Sequence, residues 1–261
     1  MTEAGRVVLI TGGCGTVGAA IASVLADAGA VLALVDRDEE RLHATVAQLS
    51  GLTRVIGVAC ELLDHASLER SMDRVVSELG PVDVLVNNAA IAGPIGALRD
   101  ADVDAWDRVM RINYEAPLRF CRRVLPGMIE RGYGRIVNLS SRAVSGFPGA
   151  NTAYSVSKVA LTRLTAHVAR EVAGTNVTAN AVCPGAVQSG IWAEIREHAR
   201  SRPNDVSADL LRYVDAVETG GASPFDAGQL VLRIVGDSTI NGALLFCEGG
   251  EQFVRPLVRS A

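Results

Sequence analysis

Val7-Val-Leu-Ile-Thr-Gly-Gly-Cys-Gly-Thr-Val-Gly18 decides how this chain is read. Val7 to Ile10 are aliphatic without polar alternation, the pattern of a strand buried on both faces. Glycines at 12, 15 and 18 follow as a helical pattern begins near Val17. Gly12 permits a tight turn, Gly15 lets a pyrophosphate approach the backbone, and Gly18 lets helix and strand pack closely. The free N–H groups and the dipole of the helix then favour phosphate. Thr16 either offers its hydroxyl to the pyrophosphate or begins the helix. Asp36, eighteen residues beyond Gly18, ends a second apolar run. A carboxylate there can accept both hydroxyls of an adenosine ribose and repels a 2′-phosphate. Arg37 beside it is expected to stack over the adenine or turn to solvent.

Outward from this turn, short apolar runs alternate with amphipathic stretches. Strands are expected at Val7–Thr11, Val31–Val35, Val55–Ala59, Val82–Val86, Arg135–Leu139, Val177–Cys183 and Ala243–Cys247. Helices are expected at Val17–Ala28, Glu39–Leu49, Ser67–Leu79, Asp104–Arg131 and Ala153–Val172. Repeated β-α units imply one doubly wound α/β domain over residues 1–261 with a parallel seven-stranded sheet. The irregular stretch at about 190–223 is expected to form a lid over a ligand at the carboxyl end of the sheet.

The 261 residues carry 49% hydrophobic and 21% charged side chains, as in a globular chain. A net charge of -4 gives no general attraction to nucleic acid or anionic membrane. No apolar run approaches the roughly 18 residues of a membrane span, and no signal peptide is visible. Cys14, Cys60, Cys121, Cys183 and Cys247 lie far apart, so reduced thiols and a cytoplasmic location are expected. The four histidines lack metal-ligand spacing, and no metal is expected.

Tyr154-Ser-Val-Ser-Lys158 carries the chemistry. On a helix, residues four apart share a face. A phenol holds its proton to a pKa of about 10, and a nearby ammonium lowers that value. The pair is therefore a proton-transfer device, with Ser141 thirteen residues upstream. Pocket residues are expected among Ile91, Ala92, Pro94, Val144, Phe147, Asn151, Ala186, Ile191 and Trp192, mostly apolar. Arg142 either pairs with an acidic substrate group or makes a structural contact.

Together with Asn87-Asn-Ala-Ala90, Asn113, Asn138-Leu-Ser-Ser141 and Cys183-Pro-Gly-Ala-Val-Gln-Ser189, these segments resemble the single-domain branch of the short-chain dehydrogenase/reductase family from about residue 5 to 251. The resemblance implies a Rossmann-type, three-layer α/β/α fold and an NAD-dependent enzyme interconverting a secondary alcohol and a ketone, with NAD expected over NADP. It implies Tyr154 as acid/base and Lys158 as the ammonium that lowers its pKa and holds the nicotinamide ribose. Ser141 would donate to the substrate oxygen, and Asn113 would hold a water joining Lys158 to solvent. Around the cofactor it sets Gly12, Gly15, Thr16, Val17, Gly18, Asp36 and Arg37, then Glu61 and Leu62 at the adenine. Asn87, Asn88, Ala89 and Ala90 lie along the ribose, and Pro184, Gly185, Val187 and Ser189 at the nicotinamide. Val144, Asn151, Ala186 and Trp192 join Ser141 and Tyr154 around a largely apolar small-molecule substrate. Pairing through the two long helices implies a homotetramer or homodimer. Thr16, Ala90 and Glu61 depart from the usual family residues, as does the stretch Glu218–Asp226. A catalytically silent nucleotide sensor or scaffold is the alternative on the same fold, and the glycine spacing alone resembles sugar-nucleotide epimerases.

Overall fold

The computed structural model describes residues 4–144, 151–202, 206–248 and 251–258. Its strands are β1 (Val7–Thr11), β2 (Val31–Asp36), β3 (Val55–Ala59), β4 (Val84–Asn87), β5 (Gly134–Leu139), β6 (Val177–Cys183), β7 (Ala243–Glu248) and β8 (Glu251–Pro256). Its α-helices are α1 (Thr16–Asp27), α2 (Glu39–Leu49), α3 (His65–Leu79), α4 (Val103–Met110), α5 (Ala116–Glu130), α6 (Thr152–Glu171), α7 (Gly190–Ser201), α8 (Ala208–Gly220) and α9 (Pro224–Gly236).

The strands lie in the order β3-β2-β1-β4-β5-β6-β7-β8. β1 to β7 are parallel, and Val8 on β1 stands between Leu32 and Val84. Alternate residues of β1 feed two separate cores, which explains its unbroken apolar run. Val8 and Ile10 pack under α1 and α9. Leu9 packs with Leu68, Met72, Phe120 and Met128 of α3 and α5 on the other face. Each fully buried aliphatic side chain contributes about 1.5–3 kcal/mol. Two helical layers thus enclose one sheet, as expected, and the chain reverses direction of winding between β1 and β4. A crevice at the carboxyl ends of the strands follows from that reversal.

Three expectations need correction. The sheet has an eighth strand, β8, paired antiparallel to β7; its Glu251, Gln252, Arg255 and Pro256 carry none of the apolar signal of a buried strand because all six residues are exposed. The helix expected over Asp104–Arg131 is α4 and α5 joined by a π-helical turn, Arg111–Glu115. The stretch at 190–223, read as irregular, forms α7 and α8. Ser189 caps α7 by accepting from the Trp192 N–H, and Ser207 caps α8 by accepting from that of Leu210. Ile195, Ala199, Leu210 and Val214 join the two helices over Ala92. Arg200 of α7 pairs with Asp215 and Glu218 of α8.

Candidate active site

The site begins at the turn after β1. Gly12 has φ of 64°, and a Cβ on it would lie 2.9 Å from both Ala89 Cα and Asn88 Nδ2. Asn88 uses that proximity: its amide donates to the Thr11 and Gly12 carbonyls at 3.0 Å. The Thr11 hydroxyl accepts from the Asn88 and Ala89 N–H groups at 3.0 and 3.1 Å. β4 thereby fixes the glycine turn. A Cβ on Gly18 would collide with the Gly12 carbonyl oxygen, so Gly18 serves strand–helix packing and does not reach the crevice. Gly15 caps α1 without a side-chain hydrogen bond, and the first turn holds no acid. With no side-chain cap, the first amides of α1 are open to an outside acceptor.

These amides open on a cavity of about 380 Å³. Gly12, Gly15, Thr16, Val17, Asp36 and Arg37 line it, with Glu61, Leu62, Asn88, Ala89 and Ala90. Tyr154, Lys158, Ser141, Pro184, Gly185, Val187, Ser189 and Trp192 complete the wall. A larger cleft, about 630 Å³ between α3 and α5, contains none of the expected residues.

At one end Asp36 is already oriented. One carboxylate oxygen accepts from the Arg37 N–H at 2.8 Å and the Asp38 N–H at 3.3 Å. The other accepts from the Cys14 N–H at 3.3 Å, tying β2 to the glycine turn. Burial, with Asp36 adding to it, pushes the Cys14 thiol up to about 12. Arg41 of α2 also lines this end and donates to the Cys14 carbonyl at 2.9 Å. Opposite stands Glu194 of α7, whose carboxyl burial raises while Arg37 opposes the rise. Glu61 turns its carboxylate back onto the Leu63 N–H at 3.1 Å, leaving its backbone and Leu62 to form the wall.

At the other end are Ser141, Tyr154 and Lys158. Asn151 caps α6 by accepting from the Tyr154 N–H at 3.3 Å, which sets where the helix starts. Tyr154 is only half-buried as a residue, yet its phenol sits deep enough that burial pushes its pKa up to about 12, with the hydrogen bond to Ser141 opposing. Lys158 is 2% exposed and donates to the Leu139 carbonyl at 2.7 Å. Its ammonium stands 5.6 Å from the centre of the Tyr154 ring. Burial pulls it down to about 8. Burial raises the Tyr154 phenol above its ordinary value, while the Lys158 ammonium is committed to the Leu139 carbonyl.

Asn113 lies in the π-helical turn and is fully buried. Its amide oxygen accepts from the Ile91 N–H at 2.9 Å, and its nitrogen donates to the Ile91 carbonyl at 3.0 Å and Ser157 Oγ at 3.1 Å. Ser157 donates onward to the Tyr154 carbonyl at 2.7 Å. Asn113 thus buttresses the α6 turn that carries Tyr154 and stands behind the cavity wall. Asn87, Asn138 and Thr165 form a second buried chain beneath the site, with bonds of 2.8 Å.

Several expected substrate residues do not line this cavity. Val144 packs with Ala181, Cys183 and Leu244. Asn151 is buried as the α6 cap. Ala186 receives the Ala222 N–H at 3.0 Å, below α8. Ala92 is core beneath the lid helices, while Ile91 and Ile191 do line the cavity. Phe147 lies outside the described residues. The Trp192 indole N–H is buried without a hydrogen-bond partner among the described residues. Reading the sequence missed Arg41, Cys60, Ile112, Ser140, Glu194 and Tyr213 as wall residues. Tyr213 reaches in from α8; its phenol, raised by burial, is felt by Tyr154. Arg142 acts on both Cys183 and Tyr213, so its charge belongs to this neighbourhood.

An uncapped glycine turn at the reversal point of a parallel sheet, one cavity away from a serine-bonded tyrosine, is the arrangement of a nucleotide-dependent oxidoreductase. The profile of short chain dehydrogenases matches residues 6–200, and the chain belongs to that family. It is 34% identical over 250 residues to 2-(S)-hydroxypropyl-CoM dehydrogenase 3 of Xanthobacter autotrophicus, covering 94% of this chain and 96% of that one. The structure of an NAD+-bound xylitol dehydrogenase is similar with TM-score 0.85 and 28% identity, covering 96% of this chain and 100% of the other. An actinorhodin polyketide ketoreductase variant with NADPH is similar with TM-score 0.85 and 31% identity, covering 96% and 98%. The protein is an oxidoreductase acting on CH–OH groups.

Proposed function

We propose that this chain interconverts a secondary alcohol and a ketone with NAD(H), Tyr154 serving as the acid/base. The observation that carries the reading is that Asp36 and the Ser141–Tyr154 pair line the two ends of one cavity whose middle is the uncapped start of α1. Bound nicotinamide dinucleotide supplies or accepts the hydride at the Tyr154 end. The α1 amides take the pyrophosphate, and Asp36 takes the adenosine ribose hydroxyls.

Ser141 donates to the substrate oxygen and stabilises charge as it develops there. Tyr154, a neutral phenol at pH 7, gives its proton to that oxygen in ketone reduction and recovers it in alcohol oxidation. Lys158 stays charged below a pH of about 8 and holds the ribose next to the nicotinamide. Asn113 acts by holding Ile91 and the α6 turn in place. The lid helices α7 and α8 cover an apolar substrate, with Trp192 and Ile191 at its edge.

The reading extends to one catalytic domain over 1–261 with α7 and α8 as its lid, a reducing cytoplasmic setting, and a homotetramer. All five cysteines are free thiols, four of them buried, which supports the setting. No helix among the described residues is long and apolar enough to cross a membrane. Incubating the protein with a panel of secondary alcohols and ketones, with NAD(H) and NADP(H) in parallel, and following nicotinamide absorbance tests the reading. Turnover of at least one pair with NAD(H) supports it. Dinucleotide binding without turnover of any compound favours a silent sensor instead.

A further inference from the structure

The mouth of the cavity at the Asp36 end carries two charges that the fold leaves uncommitted. Four carboxylates, those of Asp36, Asp38, Glu61 and Glu194, stand there against the guanidiniums of Arg37 and Arg41. The Asp36 carboxylate accepts from the N–H groups of Cys14, Arg37 and Asp38. Asp38 caps α2 by accepting from the Arg41 N–H at 3.0 Å. The Arg41 guanidinium donates to the Cys14 carbonyl at 2.9 Å, and Glu61 accepts from the Leu63 N–H at 3.1 Å. Among the described residues, the side chains of Arg37 and Glu194 make neither a hydrogen bond nor an ion pair. Both residues are exposed, so they stand at the rim of the cavity.

Glu194 reaches the mouth from the lid. Ile191, Glu194 and Ile195 lie three and four apart on α7 and all line the cavity, so one face of that helix looks onto it. Arg37 reaches it from the end of β2. Its charge opposes the rise that burial imposes on the Glu194 carboxyl, so the two groups act on each other across the opening. A phosphate monoester brings up to two negative charges and is held by cationic donors. Arg37, with no hydrogen bond of its own among the described side chains, is the group at this mouth that a 2′-phosphate would recruit. A carboxylate facing the same guanidinium competes for it. A ribose with two free hydroxyls makes no such demand. Specificity is a difference of affinities, and a group that penalises only the competitor raises it without touching the preferred ligand.

Resting on the reading that a dinucleotide lies with its adenosine ribose at Asp36, we infer that Glu194 is a second determinant of dinucleotide choice, which acts from the lid by withholding Arg37 from a 2′-phosphate. Asp36 repels the phosphate directly, whereas Glu194 works through the guanidinium. Removing Asp36 alone therefore releases only part of the discrimination against NADP.

Calorimetric titration of NAD and NADP into wild type, Glu194→Gln, Asp36→Ala and the two substitutions combined tests this. Glutamine keeps the shape of the side chain and removes its charge. The combined variant should bind NADP more tightly than Asp36→Ala by about three- to tenfold, the scale of one charge near a surface. Glu194→Gln alone should leave NAD affinity within about twofold of wild type. The route is tested by adding Arg37→Gln. In Asp36→Ala with Arg37→Gln, the further change Glu194→Gln should raise NADP affinity by less than about twofold, because the guanidinium through which it acts is gone. No gain in NADP affinity, an equal gain for both dinucleotides, an equal gain without Arg37, or a marked loss of NAD affinity in Glu194→Gln overturns the inference while Asp36 keeps its role. Wild-type protein that binds neither dinucleotide, or binds NADP as well as NAD, overturns the underlying reading and the role of Glu194 with it.

Discussion

Asp36 ties the glycine turn to the end of β2 through the Cys14 N–H, so one carboxylate shapes the turn and is proposed to face the ribose. Charge-assisted bonds to two ribose hydroxyls, replaced by repulsion when one carries phosphate, make a discrimination of about 2–4 kcal/mol reasonable, roughly thirty- to a thousand-fold. Asp36→Ala should therefore weaken NAD binding and, with Arg37 and Arg41 on the same rim, improve NADP binding. Calorimetric titration of both dinucleotides checks this; wild-type protein that binds NADP as well as NAD contradicts the role given to Asp36. Tyr154 yields a pH prediction. Its phenol, raised to about 12, keeps its proton through neutrality. Ketone reduction needs that proton, so its rate should stay level between about pH 6 and 7, below the range in which Lys158 loses its charge, whereas alcohol oxidation needs it gone and should climb with pH across the same range. Oxidation that falls over that range would count against the assignment.

The element that shapes the catalytic end is the π-helical turn between α4 and α5. Asn113→Ala would leave the partly buried N–H and C=O of Ile91 without their Asn113 partners. Each lost bond costs about 1–3 kcal/mol, and at this chain length each kcal/mol lowers Tm by roughly 2–4 °C. Calorimetry should show a clear drop in Tm together with slowed turnover; an unchanged Tm would mean that Asn113 holds nothing in place. How far such features can be read from sequence differs by element. The seven parallel strands were legible, with ends within two residues, because strands buried on both faces must be continuously apolar. The glycine turn and the Tyr154–Lys158 pair were legible because each demands specific residues at fixed spacing. The π-helical turn was not, since Arg111 to Glu115 carries the same apolar spacing as an ordinary helix. β8 was hidden because an edge strand needs no apolar face. Arg41, Glu194 and Tyr213 enter the cavity from three different helices, a fact of tertiary placement that no local pattern encodes. The burial of the Tyr154 phenol was hidden for a related reason: charge proximity can be guessed from spacing, whereas depth of burial cannot.

At the scale of the molecule, two helices carry exposed apolar residues. Val156 and Val159 on α6 are 46% and 48% exposed, and Leu118 and Ile129 on α5 are exposed as well. Apolar surface of this kind supports the proposed packing of a second copy against these helices. Val156→Asp combined with Val159→Asp should reduce the mass seen by light scattering, and unchanged mass would remove this face from the assembly. The proposed chemistry rests on one hydroxyl, that of Tyr154. Steady-state turnover of Tyr154→Phe beside wild type, with NAD binding measured on both proteins, tests it. The variant should keep its NAD affinity and turn over more slowly by about 10² to 10⁴. A variant that keeps more than about a tenth of the wild-type rate, with the same affinity, would contradict it.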